Sequence, residues 1–417
     1  MKKIAIIGTG ISGMVSAYLL SQKYSVTVFE KNDYIGGHTA TKSVEVNGEE
    51  FQIDTGFIVC NDKTYPNFLK LLSQIGVSLQ PTEMSFSVNN TKTGLEYNGN
   101  NLNTLFAQRS NIFSLQFWQL IREILKFNKL GKSWLETNGS DTGQSLGQFL
   151  EEHGFSDFFC EHYLYPMGAA IWSASLDEMK DIPLLFFVRF FENHGLLNVN
   201  DRPQWYVIPG GSKNYIDPLI KNFENDIVLN AEIKSVKRVS SSVEIHFSNG
   251  KVDVFDDVVF ACHSDQALAL LSDASEEEQR VLGDIPYSHN SVVLHTDKTL
   301  LPKRQKAWAS WNYQLVGDRE KPASVTYNMN ILQSLKSDTT FCVTLNQDEA
   351  IDPNKILGQY TYHHPVFNRK SINAQSQRHL ICGKNNTHFA GAYWYNGFHE
   401  DGVRSALDVA ARFGLTL

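Results

Sequence analysis

The fold is decided by residues 3–13, which read KIAIIGTGISG, and by residues 26–30, which read VTVFE. A short apolar strand runs into a glycine-rich turn, the turn opens a helix, and a second apolar strand ends on an acid. This succession is typical of a βαβ unit that binds a dinucleotide, with Glu30 placed to accept hydrogen bonds from ribose hydroxyls. The stretch therefore predicts an α/β fold of the nucleotide-binding type.

The three glycines of the turn have distinct physical roles. Gly8 permits a tight turn, Gly10 lets the backbone approach a pyrophosphate, and Gly13 lets the helix lie close against the strand. The phosphates then face the N-terminus of the helix, which begins with Ile11 and Ser12. Free N–H groups and the positive end of the helix dipole favour anions there.

Length and charge narrow the class of protein. The chain has 417 residues, which is enough to bury a sizeable core and suggests two or three domains. Hydrophobic residues make up 42% and charged residues 20%, as in ordinary globular proteins. The formal net charge of −8 argues against a general nucleic-acid binder, because phosphate contacts need a basic face.

Cysteine and histidine usage points to a reduced protein without a metal centre. The five cysteines are widely separated and form no CxxC pair, which favours buried thiols. His363 and His364 are adjacent rather than four residues apart, and we expect no metal site. The first strand begins at residue 3, which leaves no room for a signal peptide and predicts a cytoplasmic location. The sequence has no apolar run near the roughly 20 residues that a membrane span needs.

A second glycine motif occupies residues 30–38, which read EKNDYIGGH. An acid, five further residues and a Gly-Gly pair resemble the second dinucleotide signature of the flavin-containing amine oxidase and phytoene desaturase superfamily. The resemblance implies that Gly36 and Gly37 wrap the pyrophosphate of FAD, and that Lys31 and His38 lie beside the cofactor. His38 stands where the family usually carries arginine, so the fixed positive charge near the phosphates is lower.

Three later segments resemble the same superfamily, in its order. Residues 50–57 resemble the strand and turn beside the flavin, and residues 205–265 resemble the second part of the cofactor domain. Residues 387–413 resemble the last strand, a loop and a helix whose N-terminus faces the flavin ring, although Ala392 replaces an acidic residue that usually bonds the ribityl chain. The resemblance adds these cofactor-binding residues: Thr55, Gly56, Ile233, Gly391, Asp401 and Gly402.

The resemblance also implies the domain organisation. We expect a discontinuous, Rossmann-like FAD-binding domain with an inserted α+β substrate domain, as in amine oxidases. The FAD-binding domain is expected to comprise residues 1–83, 203–285 and 376–417. Residues 84–202 and 286–375 are expected to form the substrate or cap domain.

Residues 104–134 have a long helical pattern with apolar residues around much of its circumference. The pattern also carries four cations, which are Arg122, Lys126, Lys129 and Lys132. It fits a basic amphipathic surface in peripheral contact with a membrane, the wall of an apolar substrate cavity, or core packing of the cap. Core packing is the favoured interpretation of the three.

Four phrases resemble a narrower branch of the superfamily. That branch comprises predicted FAD-dependent proteins associated with cyclopropane-fatty-acid synthases, which implies a lipid substrate and a lipid methyltransferase as a candidate partner. The phrases are PMGAAIWS at residues 166–173, ACHSDQ at 261–266, WASWNY at 308–313 and GFHEDG at 397–402.

The resemblance predicts an FAD-dependent oxidoreductase, an oxidase or desaturase, in which an apolar substrate passes a hydride to flavin N5. The expected substrate is a lipid acyl chain. Two alternatives stay open, which are an FAD-dependent amine oxidase and a flavin-bearing accessory protein of a lipid methyltransferase. The sequence assigns neither a catalytic residue nor an oligomeric state. The candidate substrate-contacting residues are Trp311, Tyr393, Tyr395, Phe398 and His399.

Overall fold

The computed structural model describes residues 1–138, 142–172, 174–199, 202–315 and 324–417. Ser173, which ends the first branch phrase, lies outside these ranges. The strands within them are β1 Lys3–Ile7, β2 Ser25–Phe29, β3 Thr41–Val46, β4 Glu49–Asp54, β5 Cys60–Asn61, β6 Gln80–Thr82, β7 Phe86–Asn90, β8 Leu95–Asn98, β9 Trp205–Val207, β10 Ile227–Val228, β11 Ile233–Val239, β12 Ser242–Phe247, β13 Val252–Phe255, β14 Asp257–Phe260, β15 Tyr287–His295, β16 Trp311–Leu315, β17 Val325–Asn328, β18 Cys342–Leu345, β19 Ile356–Pro365 and β20 Thr387–Phe389.

The α-helices are α1 Ile11–Leu20, α2 Pro66–Gln74, α3 Leu102–Leu105, α4 Leu115–Thr137, α5 Leu146–Glu152, α6 Asp157–Phe159, α7 Tyr165–Trp172, α8 Glu178–Asp181, α9 Leu184–Asn193, α10 Ile216–Ile220, α11 Ser264–Leu270, α12 Glu276–Gly283, α13 Met329–Leu332, α14 Arg369–Ser376, α15 Arg378–Ile381 and α16 His399–Arg412. A π-helical turn, Cys160–Leu164, joins α6 to α7. None of the helices in the described ranges is long and apolar enough to cross a membrane.

A parallel sheet organises the nucleotide-binding half of the molecule. Its strand order is β10-β2-β1-β14-β20, and all neighbours run parallel. The central strand β1 is buried from Ile4 to Ile7, which explains its continuous apolar run, because a parallel sheet is covered on both faces. Helices α1 and α16 pack against each other beside this sheet. The predicted α/β fold is confirmed.

A seven-stranded mixed sheet forms the second half, in the order β19-β15-β18-β17-β16-β7-β8. Its neighbours are antiparallel except for β16 and β7, which run parallel. The helices α4 to α9 pack around Phe127, whose ring lies 6.0 to 6.4 Å from the rings of Phe149, Phe155, Phe159, Phe187 and Phe191. The division of the chain into two domains, with the limits given above, stays a prediction.

The prediction of one long helix over residues 104–134 is wrong, because the observed long helix starts only at Leu115. The structure divides the segment into α3, a 3₁₀ turn over Arg109–Phe113 and the long helix α4. Ser114 is the reason for the break, because its hydroxyl accepts a hydrogen bond from the Phe117 N–H and caps a new helix. Phe117, Leu120 and Phe127 then face the core, as the favoured interpretation required.

Candidate active site

The two glycine motifs meet at the carboxyl end of β1. A Cβ placed on Gly37 would lie 3.1 Å from the Cα of Gly10, so the two turns touch. A Cβ placed on Gly13 would lie 1.9 Å from the carbonyl oxygen of Gly8, which explains why helix and strand require glycine there. A Cβ on Gly10 would meet no atom of the described residues within 4 Å. The space beside Gly10 is therefore open, and it is bounded by the N-terminus of α1.

Glu30 is buried at the end of β2 and already holds a defined position. One carboxylate oxygen accepts hydrogen bonds from the Thr9 N–H at 3.0 Å and from the Thr9 hydroxyl at 2.6 Å. The other accepts from the backbone and side-chain N–H groups of Asn32, both at 2.9 Å. The Ala231 N–H donates to the Glu30 carbonyl, which places the start of β11, and hence Ile233, beside this acid. Lys31 is exposed.

These residues fit the adenosine and pyrophosphate of FAD on two observations. The open space beside Gly10 is a cradle that a larger side chain would fill. The buried His38 Nε2, in the residue that follows Gly37, has no hydrogen-bond partner among the described residues. Because buried polar atoms are almost always paired, an unpaired one next to such a cradle is suited to a bound polar group. When FAD is bound, Gly10, Gly37 and Glu30 are the residues that would hold it.

The loop that follows β4 is anchored by the buried carboxylate of Asp54. Asp54 accepts hydrogen bonds from the Thr41 hydroxyl at 2.6 Å and from the N–H and hydroxyl of Ser212, both at 2.9 Å. Burial raises the pKa of Asp54 to about 6, against the effect of these hydrogen bonds. The anchor fixes Thr55 and Gly56, and a Cβ on Gly56 would lie only 2.1 Å from the His38 carbonyl oxygen.

The N-terminus of α16 is held by two acids. Asp401 accepts a hydrogen bond from the Phe398 N–H at 2.9 Å and caps the helix. Glu400 accepts from the N–H groups of Asn67 and Phe68, at 3.1 and 2.8 Å, and so joins α16 to the start of α2. A Cβ on Gly402 would lie 2.5 Å from the Ile11 side chain, so α16 and α1 approach closely at the glycine turn. The helix end expected to face the flavin thus borders the phosphate cradle.

The buried Asp401 gives a prediction for pH dependence. Burial raises the pKa of Asp401 from 3.8 to about 7, so the folded state keeps a proton that the unfolded chain loses. This contribution to stability is lost as the pH rises from about 4 to about 7. Asp401→Asn removes this titration. As the pH rises from about 5 to about 8, the wild-type protein is therefore expected to lose about 2 kcal/mol more of its free energy of unfolding than the variant does. Urea unfolding of FAD-free protein measures this, and parallel pH profiles would contradict it.

Imidazoles from three parts of the chain converge in front of the cradle. The His38 ring centroid lies 6.2 Å from that of His263, 5.5 Å from that of His364 and 5.2 Å from that of Tyr362. Burial, together with neighbouring imidazoles, lowers the pKa of His38 to about 4 and the pKa values of His263 and His364 to about 3. All three are therefore neutral at pH 7. The described residues contain no group of three acidic, histidine or cysteine side chains arranged to hold a metal ion.

His399 lies near His38 and is fixed by its neighbours. Its ring stacks on Phe57, with centroids 3.8 Å apart and an interplanar angle of 9°. Its Nε2 is 2.8 Å from the Tyr215 hydroxyl, which in turn is hydrogen-bonded to the Thr39 hydroxyl at 2.5 Å. Burial lowers the pKa of His399 to about 3. His399 is therefore a neutral, well-supported ring.

The other candidate substrate residues fall into different surroundings. Phe398 faces the cap, and its ring stacks on that of Phe190 at 5.2 Å. Tyr395 turns toward the outer side of α16, where it bonds Asp408 and lies under the Arg404 guanidinium. Trp311 packs against Tyr327 in the seven-stranded sheet. Contact of these two residues with substrate stays a prediction.

Sequence reasoning found the glycine turns but missed several residues that complete the site. Gly391 donates its N–H to Ser405, whose hydroxyl lies 3.5 Å from that of Ser12, so β20, α16 and α1 are tied together. Glu400, Ser405 and His364 were not among the predicted site residues, whereas His38 was predicted to lie beside the cofactor. A signal for one of them was present, because Tyr360, Tyr362 and His364 alternate along β19 and share one face.

Comparison with known proteins places this geometry in a family. A family model described as flavin containing amine oxidoreductase matches residues 11–329. A 1-hydroxycarotenoid 3,4-desaturase from Flavobacterium sp. (strain P99-3) is 36% identical over 98 residues, which are 23% of this chain and 18% of that protein. The chain spans about half or less of the length of the curated relatives that it matches.

Solved structures agree on the fold. Cyclohexylamine oxidase from Brevibacterium oxydans IH-35A superposes with a TM-score of 0.69 at 15% identity, over 99% of this chain and 98% of that one. A fatty acid isomerase from P. acnes that produces CLA superposes with a TM-score of 0.71 at 17% identity, over the same shares of the two chains. The expectations of an amine-oxidase-like fold and of FAD as the cofactor are confirmed at the level of the family. The chain belongs to the flavin-containing amine oxidoreductase family.

Proposed function

We propose that this protein is an FAD-dependent oxidoreductase that removes hydride from a C–H bond of an apolar substrate, and that the substrate is a lipid acyl chain. The observation that carries the substrate class is the aromatic surface that the cap presents to the loop before α16. FAD supplies a two-electron acceptor when it is bound. The residues of the chain then have to hold the substrate, exclude water and accept a proton.

The aromatic surface is formed mainly by α7 and α9. Phe190 stacks on Phe398 and lies 4.8 Å from the Trp172 ring, measured between centroids. Phe186 lies 5.3 Å from both Trp172 and Phe367. Phe190 and Trp172 are buried and support the surface from behind. The partly exposed rings of Phe186, Phe367 and Phe398 are the ones that can cover hydrocarbon, which gains roughly 25 cal/mol per Å² of buried apolar area.

The histidine cluster suits the removal of a proton. Dehydrogenation of two adjacent carbons releases a hydride and a proton, so the cleft needs an acceptor for the proton. His38, His263 and His364 are neutral at pH 7 because burial lowers the pKa of each. A neutral imidazole in contact with substrate can act as a general base, although pKa values this low make the three rings weak bases at pH 7. We propose that one of these three rings has that role.

The substrate class is tested by product analysis. Purified protein is incubated in air with phospholipid vesicles, and the acyl chains are then examined by mass spectrometry. The proposal predicts acyl chains with an added double bond and flavin-dependent consumption of oxygen. Release of hydrogen peroxide from simple amines or polyamines, with unchanged lipid, would instead support an amine oxidase. A flavin protein that leaves both untouched and copurifies with a lipid methyltransferase would support an accessory role.

Phe398 gives a graded prediction for the same reaction. Phe398→Ser removes the ring that meets the cap, and kcat/KM for an acyl substrate is expected to fall about tenfold, because an apolar contact to substrate is lost. Phe398→Leu is the matched control and is expected to stay within about threefold of wild type, since it keeps an apolar side chain. FAD content should be unchanged in both. Equal loss in the two variants would contradict the apolar contact.

A further inference from the structure

Six large apolar side chains are exposed on the cap, along the segment from α3 to the middle of α4. Phe113 is 88% exposed, Leu115 87% and Leu102 75%. Ile112, Trp118 and Leu125 are between 41% and 51% exposed. Such clusters on a folded surface indicate a binding surface. We call the six residues the apolar tip: Leu102, Ile112, Phe113, Leu115, Trp118 and Leu125.

The apolar tip is held outward by hydrogen bonds. The Trp118 indole N–H donates to the Ile112 carbonyl at 2.8 Å, and the Arg109 guanidinium donates to the Phe106 carbonyl at 2.9 Å. The opposite side of α4 already supplies the core through Phe117 and Leu120. The core beside α4 is therefore already filled by other residues of the helix. The exposed apolar side chains stay in solvent, which costs free energy because apolar area is left in contact with water.

Cations share the outer side of α4 with the apolar tip. At 3.6 residues per turn, Leu115, Trp118, Arg122, Leu125 and Lys129 fall within about 100° of arc. Arg122 and Lys129 are exposed, as is Lys126 beside them. The acid in this stretch, Glu123, is buried and accepts hydrogen bonds from Ser156. Glu136, at the far end of the helix, is the next acid on that side.

A second basic segment lies at the other end of the apolar tip. The 3₁₀ turn Gln305–Ala307 contacts α3, which carries Leu102. Lys303, which precedes this turn, and Lys306, in its middle, are exposed. Cations thus border the projecting apolar residues on two sides, although the whole chain has a formal net charge of −8.

We propose that the apolar tip is a docking surface for an anionic phospholipid bilayer. Aromatic and aliphatic side chains would enter the headgroup and acyl boundary, while the cations on both sides meet anionic headgroups. A second copy of this chain is a poorer occupant, because a two-fold contact through the tip would bring the same cations face to face. Docking does not require turnover, so it is measured separately from the proposed function.

Vesicle flotation tests the proposal on the full chain with its flavin. The probes are vesicles of phosphatidylcholine alone and vesicles with about 30 mol% phosphatidylglycerol, in about 0.1 M NaCl. Wild-type protein is expected to float with the anionic vesicles and to bind at least about tenfold less to neutral ones. Binding should weaken as salt is raised. Failure of wild-type protein to float with anionic vesicles overturns the proposal.

Two pairs of substitutions separate the apolar and the charged contributions. Phe113→Ser with Leu115→Ser is expected to reduce partitioning at least about tenfold, and Arg122→Gln with Lys129→Gln to reduce it by a similar factor on anionic vesicles only. The control is Val252→Ser with Val254→Ser, which removes apolar residues of 44% and 54% exposure on β13 and should change little. Melting temperature and flavin absorbance should be unchanged in all three. The proposal is overturned if the Phe113→Ser, Leu115→Ser variant binds vesicles as the wild-type protein does. It is also overturned if the wild-type protein is a dimer and this variant is a monomer.

Discussion

Gly10→Asp is expected to abolish FAD binding while leaving the protein folded. The new side chain would enter the open space beside the α1 N-terminus, where, among the residues that the structure describes, a Cβ meets no atom within 4 Å. Gly10 is the N-cap of α1 with φ −62° and ψ 173°, and aspartate is a favoured N-cap residue there. Its carboxylate would meet the pyrophosphate at contact distance, which corresponds to a loss of about 100-fold or more in affinity.

The measurement is FAD titration together with thermal unfolding of the FAD-free protein. Gly10→Ser is the matched control, because serine also caps a helix but is small and uncharged. It is expected to bind FAD more tightly than the aspartate variant and to unfold at the same temperature. If Gly10→Asp binds FAD as wild type does, the cradle beside Gly10 is not the phosphate site.

Gly13→Ala is expected to destabilise the fold itself, whereas Gly10→Asp is expected to lose FAD binding and keep the fold. The added methyl group would lie 1.9 Å from the Gly8 carbonyl oxygen and 3.2 Å from the Ala261 side chain, so α1 must move away from β1. Overpacking at backbone contacts inside the central sheet costs about 3 kcal/mol or more. We expect low soluble yield and a depressed melting temperature whether or not FAD is added.

Gly283→Ala is the control for this substitution. Gly283 ends α12, and a Cβ there meets only a Leu268 methyl group at 3.7 Å. Alanine is a better helix former than glycine, so the variant should be within about 1 kcal/mol of wild type and no less stable. A Gly13→Ala protein with normal stability would show that the helix and strand are not as close as described.

The glycine turns and the central sheet could be predicted from the sequence because their causes are local. Gly13 is required by the Gly8 carbonyl in the same turn, and Gly8 has a positive φ of 108° that favours glycine. The apolar strands that flank the turn are short and continuous. The later segments were recognised only by their resemblance to a family. Their pairing in one sheet, β14 beside β1 and β20 beside β14, joins residues more than 100 positions apart.

The parts that escaped prediction are long-range polar contacts. Glu400 accepts a hydrogen bond from the Phe68 N–H at the start of α2, and Asp54 accepts one from the Ser212 N–H. Neither contact can be predicted from the residues next to Glu400 or Asp54 in the sequence. His38, His263 and His364 meet only once both sheets are assembled. The break in the helical segment 104–134 has a local cause, which is the helix cap formed by Ser114. It was missed because the apolar periodicity continues across Ser114.

Anaerobic reduction by substrate tests the central claim most directly. Purified protein with its FAD is mixed with phospholipid vesicles in the absence of oxygen, and the absorption band of oxidised flavin at about 450 nm is followed. The account predicts that acyl lipid bleaches this band and that simple amines and amino acids do not. Bleaching by an amine, with no response to any acyl lipid, would contradict the assignment of an apolar C–H substrate.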